Sequence, residues 1–214
     1  MNHMKKLNYL HRTAAMLGVI MISFAPMACD EDEPEKEDTP EIITRLTLTF
    51  TPAGGGDPIA VTATDPDGIG VKELAADKAI DLKINTTYTL TMNLINGLLD
   101  PTEEDYNITE EIEEEGDEHQ FFFSWSENVF VEPAGTGNIA PLTGAVDYTG
   151  GTNSLDENGL PLGLTTTWKA AGTATTGKAF TVLLKHQPGL KSRTSISNDG
   201  ETDVNVAFTI NLVN

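Results

Sequence analysis

Near the end of the chain, in TDVNVAFTINLV, every second residue is apolar: Val204, Val206, Phe208, Ile210 and Leu212 fall in step. Such an alternation fits a β-strand with one face buried, because successive strand side chains point to opposite sides. The same period recurs along the chain. ITRLTLTFTP sets Leu46, Leu48 and Phe50 against Thr47, Thr49 and Thr51, GGGDP turns, and IAVTATDPDG returns with Ile59, Val61 and Ala63. DPDGIG is a further turn, AIDLKINTTYTLTMNLIN supplies one or two strands, and Asn96-Gly97 closes them. HQFFFSWSENVFVE, AVDYTG, GLTTTWKAAG and KAFTVLLKH also read as strands, with DENGLPLG as a hairpin tip. The exception is TEEDYNITEEIEEE, where Ile108 and Ile112 stand four apart, Asn107 is placed to cap and Gly116 to stop a helix. Short strands, Gly/Pro turns and many threonines predict an all-β fold: an immunoglobulin-like antiparallel β-sandwich of roughly seven to nine strands with one short acidic helix. The chain has a single cysteine, so the disulfide of antibody domains is missing and the likeness is architectural.

The N-terminus sets where that domain begins. Lys5, Lys6 and Arg12 precede an uncharged, mostly apolar run of 13 residues, Thr13–Ala25. A bilayer-spanning helix needs about 20 residues, so this run fits the core of a secretory signal instead. Ala28 and then Cys29 follow, which predicts cleavage after residue 28 and lipid attachment to the Cys29 sulfur. The motif resembles the lipobox of bacterial lipoproteins, with Pro26 and Met27 departing from it in the manner of the Bacteroidetes. Residues 29–41, acidic and containing Pro34 and Pro40, read as a disordered tether. The run Asp30-Glu31-Asp32-Glu33 is similar to signals that send lipoproteins of that phylum to the outer face of the outer membrane. The sandwich is then expected over residues 42–214.

Removal of residues 1–28 leaves 10 of the 13 Lys+Arg against all 33 Asp+Glu, a net charge near −23. That field repels nucleic acid and anionic membrane surfaces and attracts cations. The sequence has no GxSxG, P-loop or dinucleotide fingerprint, and nothing selects a catalytic pair from its many acids, so a non-enzyme is expected. TDPDGIG starts like a calcium loop with Asp65, Asp67 and Gly70, but Ile69 and Ala76 occupy later ligand positions, which favours a plain turn. Trp125 and Trp168 lie in alternating strands and belong in a core more readily than on a sugar-binding face.

The chemistry concentrates in NITEEIEEEGDEHQFFFSW. Seven acids fill residues 110–118 save Ile112 and Gly116, directly ahead of His119 and three phenylalanines. His119 begins one strand and His186 ends another, each followed by a glutamine. In an antiparallel pair the start of one strand lies beside the end of its neighbour, so pairing these two joins both histidines at one rim. The loop after His186 returns through Glu201 and Asp203, and the acidic helix brings Glu110, Glu111, Glu114 and Glu118 to the same place. Two imidazoles with one or two carboxylates suit Zn²⁺ or another divalent transition metal rather than Ca²⁺ or Mg²⁺. The expected ligands are His119, His186, Glu110, Glu114 and Asp203. A second reading of the same residues stays open: two half-exposed strand-end histidines beside a solvated acidic face.

LTLTFTPAGGGDP, ATDPDG, NITEEIEEEGDEHQFFF, NGLPLGL, LLKHQPGLK and GETDVNVAF together resemble a group of Bacteroidetes lipoproteins labelled type 1 periplasmic binding fold superfamily proteins. That resemblance implies a TonB-dependent outer-membrane receptor as partner and a place at the outer membrane, facing the surface or the periplasm. Its label implies an α/β doubly wound fold, against which the strand-rich pattern speaks. The function expected from residues and resemblance together is an envelope accessory protein that captures a divalent metal for such a receptor. A non-metal surface module, glycan-binding, adhesive or structural, is the competing expectation.

Overall fold

A computed structural model describes residues 41–66, 68 and 74–214. The expected signal peptide, Cys29 and the tether as far as Pro40 lie outside the described residues, as do Asp67 and Gly70. The elements are β1 (Arg45–Pro52), β2 (Ile59–Thr64), β3 (Ala75–Ala76), β4 (Ile80–Lys83), β5 (Thr87–Ile95), α1 (Ile108–Glu114), β6 (His119–Trp125), β7 (Phe130–Glu132), β8 (Thr165–Ala170), β9 (Thr175–His186) and β10 (Glu201–Val213). They build two sheets, ordered β3-β2-β1-β5-β8-β7 and β4-β10-β9-β6. The fold is therefore all-β, a sandwich with one α-helix of seven residues among the described residues. The α/β label attached to the resembling lipoproteins does not describe it, since among the described residues no parallel pair of strands is joined by a single crossover helix.

The alternating positions do what their pattern dictates. Leu46, Leu48 and Phe50 of β1, Tyr88 and Leu90 of β5, and Val206, Phe208 and Ile210 of β10 are buried in one core between the sheets. Trp168, fully buried, packs edge-on against Phe123, Trp125 and Phe180 at ring distances of 5.1–5.3 Å. Its indole N–H donates to Thr166 Oγ1 at 2.7 Å.

Two details depart from the sequence reading. β4 pairs with β10 in parallel, Ile80 beside Ile210, whereas every other described ladder is antiparallel. β4 is a short excursion between β3 and β5 of the other sheet, turned back at Asn85 (φ 57°), so its direction is set by that return and not by a hairpin with β10. AVDYTG is not a strand. Asp147 folds onto its own turn, accepting from the Thr149 amide and hydroxyl at 2.9 and 2.6 Å, a local bonding that competes with a ladder.

β6 is the edge of its sheet, yet its outward backbone groups are occupied. The amides of Phe121, Phe123 and Trp125 donate to Leu162 O, Asn138 Oδ1 and Thr136 O at 2.8, 2.9 and 2.9 Å. The buried Tyr148 hydroxyl donates to Phe121 O at 2.7 Å. This covering protects the edge from pairing with another chain. β6 is also buried on both faces, Gln120 and Phe122 included.

Candidate metal centre

β6 and β9 pair in a register that sets His119 directly opposite His186. Directly opposed residues share a face, here the inward one, and the imidazoles stack with centroids 4.6 Å apart and planes 6° from parallel. Both are buried, at 0 % and 2 % exposure. The half-exposed condition expected of ordinary strand-end histidines is therefore not theirs.

Around this pair the carboxylates arrive from four directions. The loop between β9 and β10 brings Glu201 opposite His186. Gly200 makes that return possible: its φ is +72°, and a Cβ there would lie 2.0 Å from the His186 carbonyl oxygen. One residue further the register slips, with Thr202 opposite Lys185 and Val204 opposite Leu184, so Asp203 is the extra residue of a bulge. Bulges re-aim side chains. This one turns Asp203 inward, fully buried as a side chain, with Oδ2 at 4.0 Å from His119 Nε2. Neither Asp203 oxygen has a hydrogen-bond partner. Burial, opposed by the nearby His186 and Lys185, lifts its pKa from 3.8 to about 6.

The second direction is the chain ahead of β1. Glu41, which the sequence reading assigns to the tether, lies with Oε1 at 3.7 Å from His119 Nε2 and its side chain 10 % exposed. Burial first, then the charges of Glu111, Asp203 and Glu115, push its pKa from 4.5 up to about 8. Composition hides this residue: an acidic run with prolines reads as solvated whatever its last member does.

The third and fourth directions are α1 and the turn after it. Ile108 and Ile112 are buried and fix the helix phase. At 100° per residue, Glu111 and Glu115 then fall on the flank beside them, and Glu110 and Glu114 point away. The structure agrees with this geometry: Glu110 and Glu114, two of the expected ligands, are exposed, while Glu111 and Glu115 are partly buried. Burial, then Asp105 and Glu115, raise the pKa of Glu111. The carboxylate of Glu115 and the nitrogens of His119 and His186 lie within 4.8 Å of one another. In the following turn, Glu118 Oε2 reaches His186 Nε2 at 3.4 Å.

Backbone contacts orient the rings. The Glu115 carbonyl lies 3.1 Å from His119 Nδ1. A carbonyl only accepts, so Nδ1 carries the hydrogen and Nε2 is the nitrogen turned toward Glu41 and Asp203, an arrangement typical of metal-binding histidines. The Gln187 amide donates to Glu118 O at 2.6 Å, and its side chain donates to Asp199 O at 3.1 Å, tying the loop to the strand end. Lys191, buried, donates to Gly116 O and Asp156 Oδ2 at 2.5 and 2.8 Å, clamping the acidic turn. The turn is tightly packed at Gly116, where a Cβ would lie 3.2 Å from the Asp156 Cβ and 3.3 Å from the Glu113 carbonyl oxygen. A cavity of about 360 Å³, lined by His186, Pro188, Leu190, Gly200 and Glu201, opens beside the rim.

The fold and the rim together define a β-sandwich with a histidine–carboxylate centre at one end of its core. Comparison with protein-family models, curated proteins and solved structures finds no match for the chain.

Proposed function

We propose that this protein is a lipid-anchored cell-envelope protein that captures a divalent transition metal, Zn²⁺ foremost, for a TonB-dependent outer-membrane receptor. The observation that carries the metal reading is a buried cluster whose charges do not balance. Asp203 holds two buried oxygens without hydrogen-bond partners against His119, and Glu41, Glu111 and Glu115 crowd the same space. Burying a carboxylate without a partner is costly, and carboxylates this close repel one another. A divalent cation answers both, and the two imidazoles favour a borderline ion over Ca²⁺. The cavity beside His186 supplies a route for the ion.

The anchor and the receptor rest on the sequence: Cys29 behind a signal-like run, the acidic segment after it, and the family resemblance. Calorimetric titration of the purified protein with Zn²⁺ and with Ca²⁺ tests the capture reading. Stoichiometric Zn²⁺ binding that His119→Ala with His186→Ala removes is expected; no heat with Zn²⁺, or equal binding of Ca²⁺, overturns it. Cys29→Ser tests the anchor through membrane fractionation and lipid incorporation, both of which should be lost.

A further inference from the structure

We infer that Glu41 is itself a ligand of the captured cation, so that filling the rim fastens the chain ahead of β1 onto the sandwich. The inference rests on the metal reading above and adds to it a coupling between cargo and the anchored end of the molecule.

Three observations carry it. His119 Nε2 faces two carboxylates from distant parts of the chain, Glu41 at 3.7 Å and Asp203 at 4.0 Å. With Nδ1–H committed to the Glu115 carbonyl, Nε2 is the His119 nitrogen turned toward both. Nitrogen and carboxylate oxygens then confront each other across a gap that a cation would fill with one nitrogen and two oxygens. Asp203, fully buried as a side chain and with neither oxygen hydrogen-bonded, is aimed into that gap, so the site does not depend on exposed acids alone.

The third observation concerns what holds Glu41 in place. The backbone becomes tied to the sheet at Thr44, whose amide and hydroxyl both donate to Ile95 O at 3.1 and 3.2 Å. Ile43 is buried, but Ile42 is 48 % exposed. The inward anchor of residues 41–42 is therefore the Glu41 side chain at the rim. Without an ion the Glu41 side chain is held by a hydrogen bond with Glu111 beside further carboxylates that repel it; on a divalent ion it becomes a coordination bond.

The test uses the purified protein, with amide hydrogen exchange at Ile42 and Ile43 measured with and without saturating Zn²⁺, and Zn²⁺ affinity measured by calorimetry. Zn²⁺ should slow exchange at these amides roughly 10-fold in the wild type by suppressing local opening. Glu41→Gln should bind Zn²⁺ roughly 10- to 100-fold more weakly, a loss of about 1.4–2.7 kcal/mol, and should lose the slowing. Glu41→Ala should do the same, and Glu110→Gln should do neither. Zn²⁺ binding that leaves exchange at Ile42 and Ile43 unchanged overturns the coupling while the capture reading stands. Slowing that survives in Glu41→Gln, or unaltered affinity of that variant, overturns it equally. Absence of Zn²⁺ binding in the wild type overturns both.

Discussion

The middle and the end of the β6–β9 ladder are built from the same two strands and behave as opposites. In the middle, Phe123 lies opposite Val182 and Trp125 opposite Phe180, and these rings interlock with Trp168. Trp168 places its indole N–H on Thr166, so this tryptophan needs nothing further. Four residues away, His119 lies opposite His186 at comparable burial, and the neighbouring groups are carboxylates whose pKa values are pushed up to about 6 and about 8. The difference teaches that burial alone does not make a core. The aromatic centre is packed by its own side chains and leaves the Trp125 indole N–H without a hydrogen-bond partner, whereas the rim leaves both buried Asp203 oxygens without one beside further carboxylates, which is where the proposed cation would act.

The sharpest way to break this comparison is to cut into both halves. Trp168→Ala or Phe123→Ala should destabilise the fold by about 3–5 kcal/mol through lost burial and the cavity left behind. The loss should be the same with and without Zn²⁺, as read by denaturant melts. Asp203→Asn should do the reverse at pH 7.5, raising stability of the metal-free protein by about 1–2 kcal/mol because a buried charge held in unfavourable surroundings is removed. A destabilised, metal-free Asp203→Asn would mean that the rim, like the centre, is complete as it stands.

The pH dependence sharpens the same contrast. Glu41 and Asp203 bind protons more tightly in the folded chain, about 8 against 4.5 and about 6 against 3.8. Between those values the folded state holds more protons than the unfolded one, so stability falls as pH rises. As far as these two groups decide, metal-free protein should therefore be most stable below about pH 3.8 and should weaken progressively toward pH 8. Denaturant midpoints measured across this range should slope downward in the wild type and flatten in the double variant Glu41→Gln, Asp203→Asn. A flat wild-type profile would contradict the raised carboxylate pKa values.

Much of this arrangement was legible in the sequence, and the failures have physical causes. Strands such as β1 and β10 followed from period-two alternation because one face of each lies in the core, whereas β6 is buried on both faces and breaks that alternation. The meeting of His119 and His186 followed from their places at the start of one strand and the end of another. Asp203 was legible as a neighbour, but not the bulge that turns it inward, since a register slip leaves no mark in the alternation of β10. Glu41 was hidden by the composition around it. For Glu110 and Glu114 the relevant signal is the helix phase: once Ile108 and Ile112 are taken as the buried side, Glu111 and Glu115 fall beside them and Glu110 and Glu114 stay exposed. The smallest expected effect follows. Glu110→Gln with Glu114→Gln should shift stability by no more than about 0.5 kcal/mol, and should leave Zn²⁺ affinity unchanged, while Glu115→Gln weakens it. A loss of affinity in the first variant would restore the outer acids as ligands.

The most direct test of the account is thermal or denaturant unfolding of the purified protein with Zn²⁺ at two pH values. Imidazole and carboxylate ligands must be deprotonated to bind, so Zn²⁺ should stabilise at pH 7.5 and much less at pH 5.5. At a free concentration 100-fold above the dissociation constant the gain should be about 2.7 kcal/mol. Ca²⁺ should do little at either pH, and His119→Ala with His186→Ala should abolish the Zn²⁺ effect. A Zn²⁺ titration that leaves the unfolding transition unmoved at pH 7.5 would contradict the claim that a cation completes the rim.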